Sequence, residues 1–213
     1  MRCLYCHNPD SWGHGGKEYS ASDVLEKMTR NISFYKTGGL TVSGGEPMLQ
    51  LDFLIELFSL AKDKGIHTCL DTSGCVFDRK NSERLSKVDK LLSLCDLVML
   101  DIKHIDKSEH IKLTGHTNEN VLDFARYLNE KGVKMRVRHV IVPEITYKDE
   151  YLTLLGKFLK GFTNIEKIEV LPFHKMGEHK YKSLGITCPL EKTKALSTSD
   201  AKTAYNIIKS AMN

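Results

Sequence analysis

No stretch of the chain approaches the roughly 18 consecutive apolar residues of a membrane-spanning helix, and the N-terminus carries no apolar signal-peptide segment. These two lacks give a cytoplasmic reading. Internal repeats, low-complexity tracts and long linkers are missing too, which leaves residues 1–213 as one domain. Charge of one sign is scarce: 31 Lys and Arg against 27 Asp and Glu leave only +4, spread along the chain. So small an excess gives no reason to expect a nucleic-acid or membrane partner. Six cysteines in a chain of this length do not make a disulfide framework. Four of them, Cys69, Cys75, Cys95 and Cys188, are isolated enough to read as packed thiols.

What is present is an ordinary globular composition, 41% hydrophobic and 27% charged. A chain this long can bury about 70% of the surface it exposes when unfolded. Five β-rich runs stand out: "LTVSGGEP" (40–47), "IHTCLDTSG" (66–74), "DLVMLDIK" (96–103), "VKMRVRHVIVP" (133–143) and "IEKIEVLPFH" (165–174). Helical patterns over about 50–64, 81–94, 118–131, 149–160 and 198–212 alternate with them. In the first, Phe53, Leu54, Leu57, Phe58 and Ala61 keep the helical spacing, and Ser197 or Ser199 is placed to cap the last. Such alternation predicts an α/β fold with a parallel sheet and right-handed crossovers, either open or closed toward a barrel.

Polar residues gather where these strands should end: Glu46, Asp71 with Thr72, Asp101 with Lys103, and His174. Each alone reads as a helix cap or a turn residue. Their coincidence across the strands predicts a common mouth at the carboxyl edge of the sheet, where sites of parallel α/β folds form.

The chain opens on "MRCLYCHNPD", a Cys-x-x-Cys pair followed at once by His7. Covalent haem would fit the spelling but calls for export and a small helical fold. A thioredoxin-like dithiol would follow a strand, and none precedes it. Structural zinc needs four ligands, and no second pair at finger spacing is present, although His7 and His14 are nearby. An iron–sulfur site with an open iron would use three thiolates, and two are here. From the residues alone metal or cluster binding is favoured, and the choice stays open.

Five stretches, "MRCLYCHNPD", "VSGGEPMLQ", "GIHTCLDTSG", "DLVMLDIK" and "IEVLPFHKMGEHKY", occur in this order from Met1 to about Lys182. Together they resemble the pyruvate formate-lyase activating enzymes of the radical S-adenosylmethionine family. The resemblance implies a parallel partial (β/α) barrel. The family's cluster loop reads Cys-x3-Cys-x2-Cys, and Cys3 and Cys6 match its second and third cysteines. Its first cysteine would lie two residues before Met1, and the first barrel strand also upstream. The chain is therefore expected to be N-terminally truncated, lacking that strand and that cysteine.

The implied activity is formation of a glycyl radical on pyruvate formate-lyase. A [4Fe–4S] cluster reductively cleaves S-adenosyl-L-methionine to a 5′-deoxyadenosyl radical, which removes a glycine Cα hydrogen. Cys3 and Cys6 are the implied cluster ligands, and with Lys103 and Arg138 the implied catalytic residues. Tyr5, Cys6 and His7 would lie beside the adenosyl group. Gly44, Gly45 and Glu46 would meet the methionine amino group, while Asp101, Ile102, Lys103 and His174 make further cofactor contacts. Asp71, Thr72, Met99 and Asp101 match a monovalent-cation site, whose oxygen donors suit a hard cation. Arg138 would reach cofactor or substrate peptide; on the other reading it faces the barrel exterior, sharing a face with Lys134 and Arg136.

Flavodoxin or ferredoxin is the implied reductant, and a monomer the implied state. No cysteine lies between Cys6 and Cys69, so the ferredoxin-like insert of many other glycyl-radical activases is missing. Two alternatives accompany this reading: a catalytically impaired fragment or degenerate copy acting at most as a binding protein, or an activase of another glycyl-radical enzyme such as anaerobic ribonucleotide reductase.

Overall fold

Five parallel strands in strictly sequential order form the frame of the computed structural model, which describes residues 1–13, 15–30 and 38–213. His14 lies outside the described residues. The strands are β1 (Gly39–Val42), β2 (His67–Thr72), β3 (Leu97–Asp101), β4 (Met135–Ile141) and β5 (Ile165–Pro172). Each pairs in parallel with the next. Addition always on the same side is the order of a β/α barrel wall, whereas a doubly wound sheet reverses at a switch point.

Helices α2 (Leu51–Asp63), α3 (Ser82–Ser93), α5 (Glu119–Glu130) and α6 (Asp149–Leu159) fill the crossovers, and α8 (Thr198–Met212) follows β5. These match the five helical patterns expected from periodicity. Ser197 is the cap of α8, and it shares a capping box with Asp200. Three further helices appear: α1 (Ala21–Thr29), α4 (Lys107–Thr114) and α7 (Glu178–Ser183). No helix among the described residues is long and apolar enough to cross a membrane.

The period of two along each strand divides the sheet into two chemistries. Leu70, Val98, Leu100, Met135, Val137 and Ile141 are buried in one core with Phe58 of α2, Leu91 of α3 and Phe124 of α5. The intervening positions, Asp71, Met99, Asp101, Arg136 and Arg138, take the opposite, partly open face. Polar residues on one face and apolar ones under the helices thus put all the strand-end charges on the concave side.

The first residues dock on α4. Leu4 N–H donates to the Leu113 carbonyl at 2.9 Å, and Arg2 N–H to the Thr114 carbonyl at 3.3 Å. These are carbonyls of the last helical turn, which have no partner within the helix. The extra helix in the β3–β4 crossover therefore places the cysteine pair beside the end of β3.

Gly74 closes the loop after β2 with φ +67°, and a Cβ there would stand 2.7 Å from Cδ1 of the buried Phe124 ring. Both the left-handed backbone and the close ring require glycine. Gly74→Ala is expected to lower stability by roughly 1–3 kcal/mol, measured by urea unfolding; an unchanged midpoint would contradict this packing.

Candidate active site

The exit of β1 is the turn Ser43–Gly44–Gly45, where Gly44 has φ +150° and a Cβ on either glycine would meet nothing within 4 Å. The main chain here is open to an approaching ligand. Glu46 turns inward instead. Its Oε1 accepts from Thr72 Oγ1 at 2.5 Å and Met48 N–H at 3.2 Å, and its Oε2 from Ser73 Oγ at 2.5 Å and Ser73 N–H at 3.1 Å. The carboxylate is thus committed to protein donors and ties the exit of β1 to the exit of β2. Ser73 is absent from the residues that the sequence singles out, although its place directly after "DT" at a strand exit is the signal for it.

Four alternating charges run across the next strands. Arg138 of β4 donates from Nη1 to Asp71 Oδ2 at 3.0 Å and from Nη2 to Asp71 Oδ1, while its Nε donates to Asp101 Oδ1 at 2.8 Å. Lys103 Nζ donates to the other Asp101 oxygen at 3.0 Å. Burial pushes the Asp71 carboxyl above its ordinary value, with Arg138 opposing. Burial acts the same way on Asp101, but Lys103 and Arg138 outweigh it and hold that carboxyl below its ordinary value. Arg138 therefore faces the concave side, and the exterior reading is wrong: the concave wall of a barrel carries charge just as a solvated face does.

Lys103 leads from this chain to the N-terminal loop. Burial works against its ammonium, yet Tyr5, Asp101 and Cys3 hold it well above the ordinary lysine value. Its Nζ lies 5.7 Å from the Tyr5 ring centroid, a cation over an aromatic face. Cys6 N–H donates to the Cys3 carbonyl at 3.1 Å, which closes the turn between the two thiols. Both are free, Cys3 buried and Cys6 half-buried. Burial pushes the Cys3 thiol above its ordinary value, with Lys103 opposing in part.

His7 and His174 close the other side. Their rings stack at 4.1 Å and 21°, and His7 Nε2 donates to the His174 carbonyl at 3.2 Å. Burial lowers the His7 imidazole, with His174 adding to it. With Tyr5, Cys6, Tyr181 and Cys188 they line a narrow cleft at the mouth.

Residues 1–155 match the radical SAM superfamily. Pyruvate formate-lyase-activating enzyme of Streptococcus mutans serotype c is 50% identical over 198 residues, 91% of this chain and 75% of its own length. The protein of the same name from Staphylococcus aureus is 44% identical over 215 residues, 98% of this chain and 84% of its own. The chain belongs to the pyruvate formate-lyase-activating enzymes of the radical SAM superfamily. Solved structures agree on the fold. A domain of pyruvate-formate lyase-activating enzyme from Bacteroides vulgatus superposes with TM-score 0.65 at 23% identity, over 82% of this chain and 94% of that one. Streptococcus suis SuiB bound to S-adenosylmethionine gives TM-score 0.71 at 18% identity, over 97% and 43%.

Radical SAM enzymes use a [4Fe–4S] cluster and S-adenosylmethionine, and two groups of residues can be tested against this chemistry. Cys3 and Cys6 fit as soft donors: two free thiols on one tight turn, with a lysine cation behind them. They would provide two ligands, and no group of three or more His, Cys, Asp and Glu is assembled for a metal among the described residues. The monovalent-cation set does not fit in the same way. Asp71 and Met99 are register partners on one face, but the two carboxylates already share the Arg138 guanidinium, and the Thr72 hydroxyl donates to Glu46 and accepts from the Gly74 N–H at 2.9 Å. Ile102 is fully buried on the helix side and offers the site only its main chain.

Removing Arg138 leaves two carboxylates in a largely desolvated spot. Arg138→Leu is expected to cost about 2–4 kcal/mol at neutral pH. The sign with pH is set by the carboxyls. Loss of the cation raises both, so the variant's burden grows as pH rises through the carboxylate range and shrinks as pH falls and they protonate. Urea unfolding at about pH 7 and about pH 4.5 checks this, and an equal deficit at both would contradict it.

Proposed function

We propose that this chain installs a glycyl radical on pyruvate formate-lyase. The observation that carries the reading is the meeting of Cys3 and Tyr5 with Lys103 and Asp101, about a hundred residues away in sequence, at one strand-end mouth. A bound [4Fe–4S] cluster and S-adenosylmethionine would supply the one-electron reductive chemistry that opens the sulfonium and leads to loss of a glycine Cα hydrogen. Every other task falls to residues of the chain.

Cys3 and Cys6 would hold two corners of the cluster. Lys103 places positive charge beside these thiolates and offsets part of the negative charge that gathers there. The open main chain at Gly44 and Gly45 suits the methionine amino group, and Glu46 acts by holding that turn against β2. Tyr5, His7 and His174 line the adenosyl side, and parting of the stacked imidazoles would admit it. Asp101 and Arg138 orient Lys103. A flavodoxin or ferredoxin would deliver the electron, a monomer is sufficient for this chemistry, and free thiols beside a reducible cluster suit the cytoplasm.

The alternative reading is a copy impaired in chemistry that retains at most binding. One experiment separates the two. The chain is reconstituted anaerobically with iron and sulfide, reduced, and incubated with S-adenosylmethionine and pyruvate formate-lyase. An active enzyme is expected to retain near-stoichiometric iron and sulfide, release methionine and 5′-deoxyadenosine, and yield a glycyl radical signal on the lyase that Cys6→Ser abolishes. Weak iron retention with no cleavage would support the impaired copy. A signal only with anaerobic ribonucleotide reductase would assign another substrate.

A further inference from the structure

Beyond Asp101 the β3–β4 ladder gives way, and the chain is held by different means. Ile102 N–H still donates to the Arg138 carbonyl at 3.0 Å. Its carbonyl, however, receives the ring of His139, Nδ1 to oxygen 2.7 Å. His139 is 3% exposed and lies on the helix-side face of β4 with Met135, Val137 and Ile141. Consecutive residues of β4 thus grip the last residue of β3 and the residue just after it from opposite faces. Arg138 holds the Asp101 side chain from the concave side, and His139 holds the Ile102 main chain from behind.

The chemistry of the contact fixes the state of the ring. A carbonyl only accepts, so Nδ1 carries the proton and Nε2 is the bare nitrogen, buried with no partner among the described residues. Burial lowers the imidazole to about 4, so it is neutral at working pH. The same layer continues downstream. Asn118 Nδ2 donates to the carbonyls of His104 at 3.2 Å and Ile105 at 2.7 Å, and His104 Nε2 donates to the Ile145 carbonyl at 3.2 Å. A set of side-chain donors thereby replaces the ladder where β3 leaves the sheet, and that is where Asp101 and Lys103 must point into the mouth.

We propose that His139 is a positioning residue for the reaction: by holding the Ile102 carbonyl it fixes the stretch Asp101–Lys103, and with it the placement of the Lys103 ammonium beside the N-terminal loop. Its consequence for cofactor binding rests on the proposed function, whereas its effect on the backbone does not.

Three readouts test it. Ring ¹⁵N shifts of the wild-type protein are expected to show the Nδ1–H tautomer of His139, and an Nε2–H tautomer would overturn the proposal. In His139→Leu, hydrogen exchange over residues 101–105 is expected to speed up about tenfold or more. The reconstituted holoenzyme is expected to bind S-adenosylmethionine about tenfold more weakly. His139→Asn, whose amide can donate from the position of Nδ1, should restore both to within about threefold. A folded His139→Leu with wild-type exchange and affinity would overturn the proposal. So would faster exchange without loss of affinity, which would leave only a structural role, or an Asn variant as defective as Leu. Should His139→Leu fail to fold, the tautomer and the Asn variant still decide. Wild-type protein that binds no S-adenosylmethionine would count against the proposed function, while tautomer and exchange would still judge the contact.

Discussion

Arg138 stands between two carboxylates that could not otherwise share the mouth of the sheet. Asp71 and Asp101 sit on adjacent strands and the same face, and both are largely withdrawn from water. Two like charges so placed repel, and one of them would take up a proton. The guanidinium resolves this because it is planar and carries several donors in a fixed fork: two meet Asp71, and Nε is left for Asp101. A lysine has the charge but not the fork. The register of β4 against β3, which sets Arg138 opposite Asp101, makes the geometry possible.

The rest of the mouth depends on that pair. With Asp101 kept ionised it anchors Lys103, and Lys103 in turn presents a buried cation to Tyr5 and Cys3. The chain of charges is neutral in sum, alternating from β2 through β4 and β3 to the loop after β3, and its last member is positive beside the Cys3 thiol. Glu46 does a separate job in the same region. Among the described residues it has no cation partner, and it spends its oxygens on Met48, Thr72 and Ser73, so these hydrogen bonds hold the glycine turn of β1.

Much of this is legible in the residues alone. Runs such as "DLVMLDIK" announce buried parallel strands, and the helices between them show plain periodicity, so the α/β order is direct. Three helices are harder to read. α4 is weakly patterned and held by its Asp106 cap and the αL glycine Gly115 rather than by an apolar stripe. α7 spans a single short segment. α1 does carry a readable sign, the Ser20–Asp23 capping box. In the site, residue identities are legible but directions are less so. Lys134, Arg136 and Arg138 alternate as an exposed strand would, and only the closing curve of the sheet turns that polar face inward. Nor does a histidine in "RHVIVP" reveal that its ring will reach a carbonyl on the neighbouring strand; that depends on where β3 stops.

The alternating charges act as one unit, so that Arg138 and Lys103, which share Asp101, depend on one another. A double-mutant cycle of Arg138→Met and Lys103→Met, read by urea unfolding, measures that dependence. A coupling energy of about 1–2 kcal/mol between the two positions is the predicted result. Losses that add to within about 0.5 kcal/mol would contradict it, for then each cation would serve its own carboxylate oxygen and nothing more.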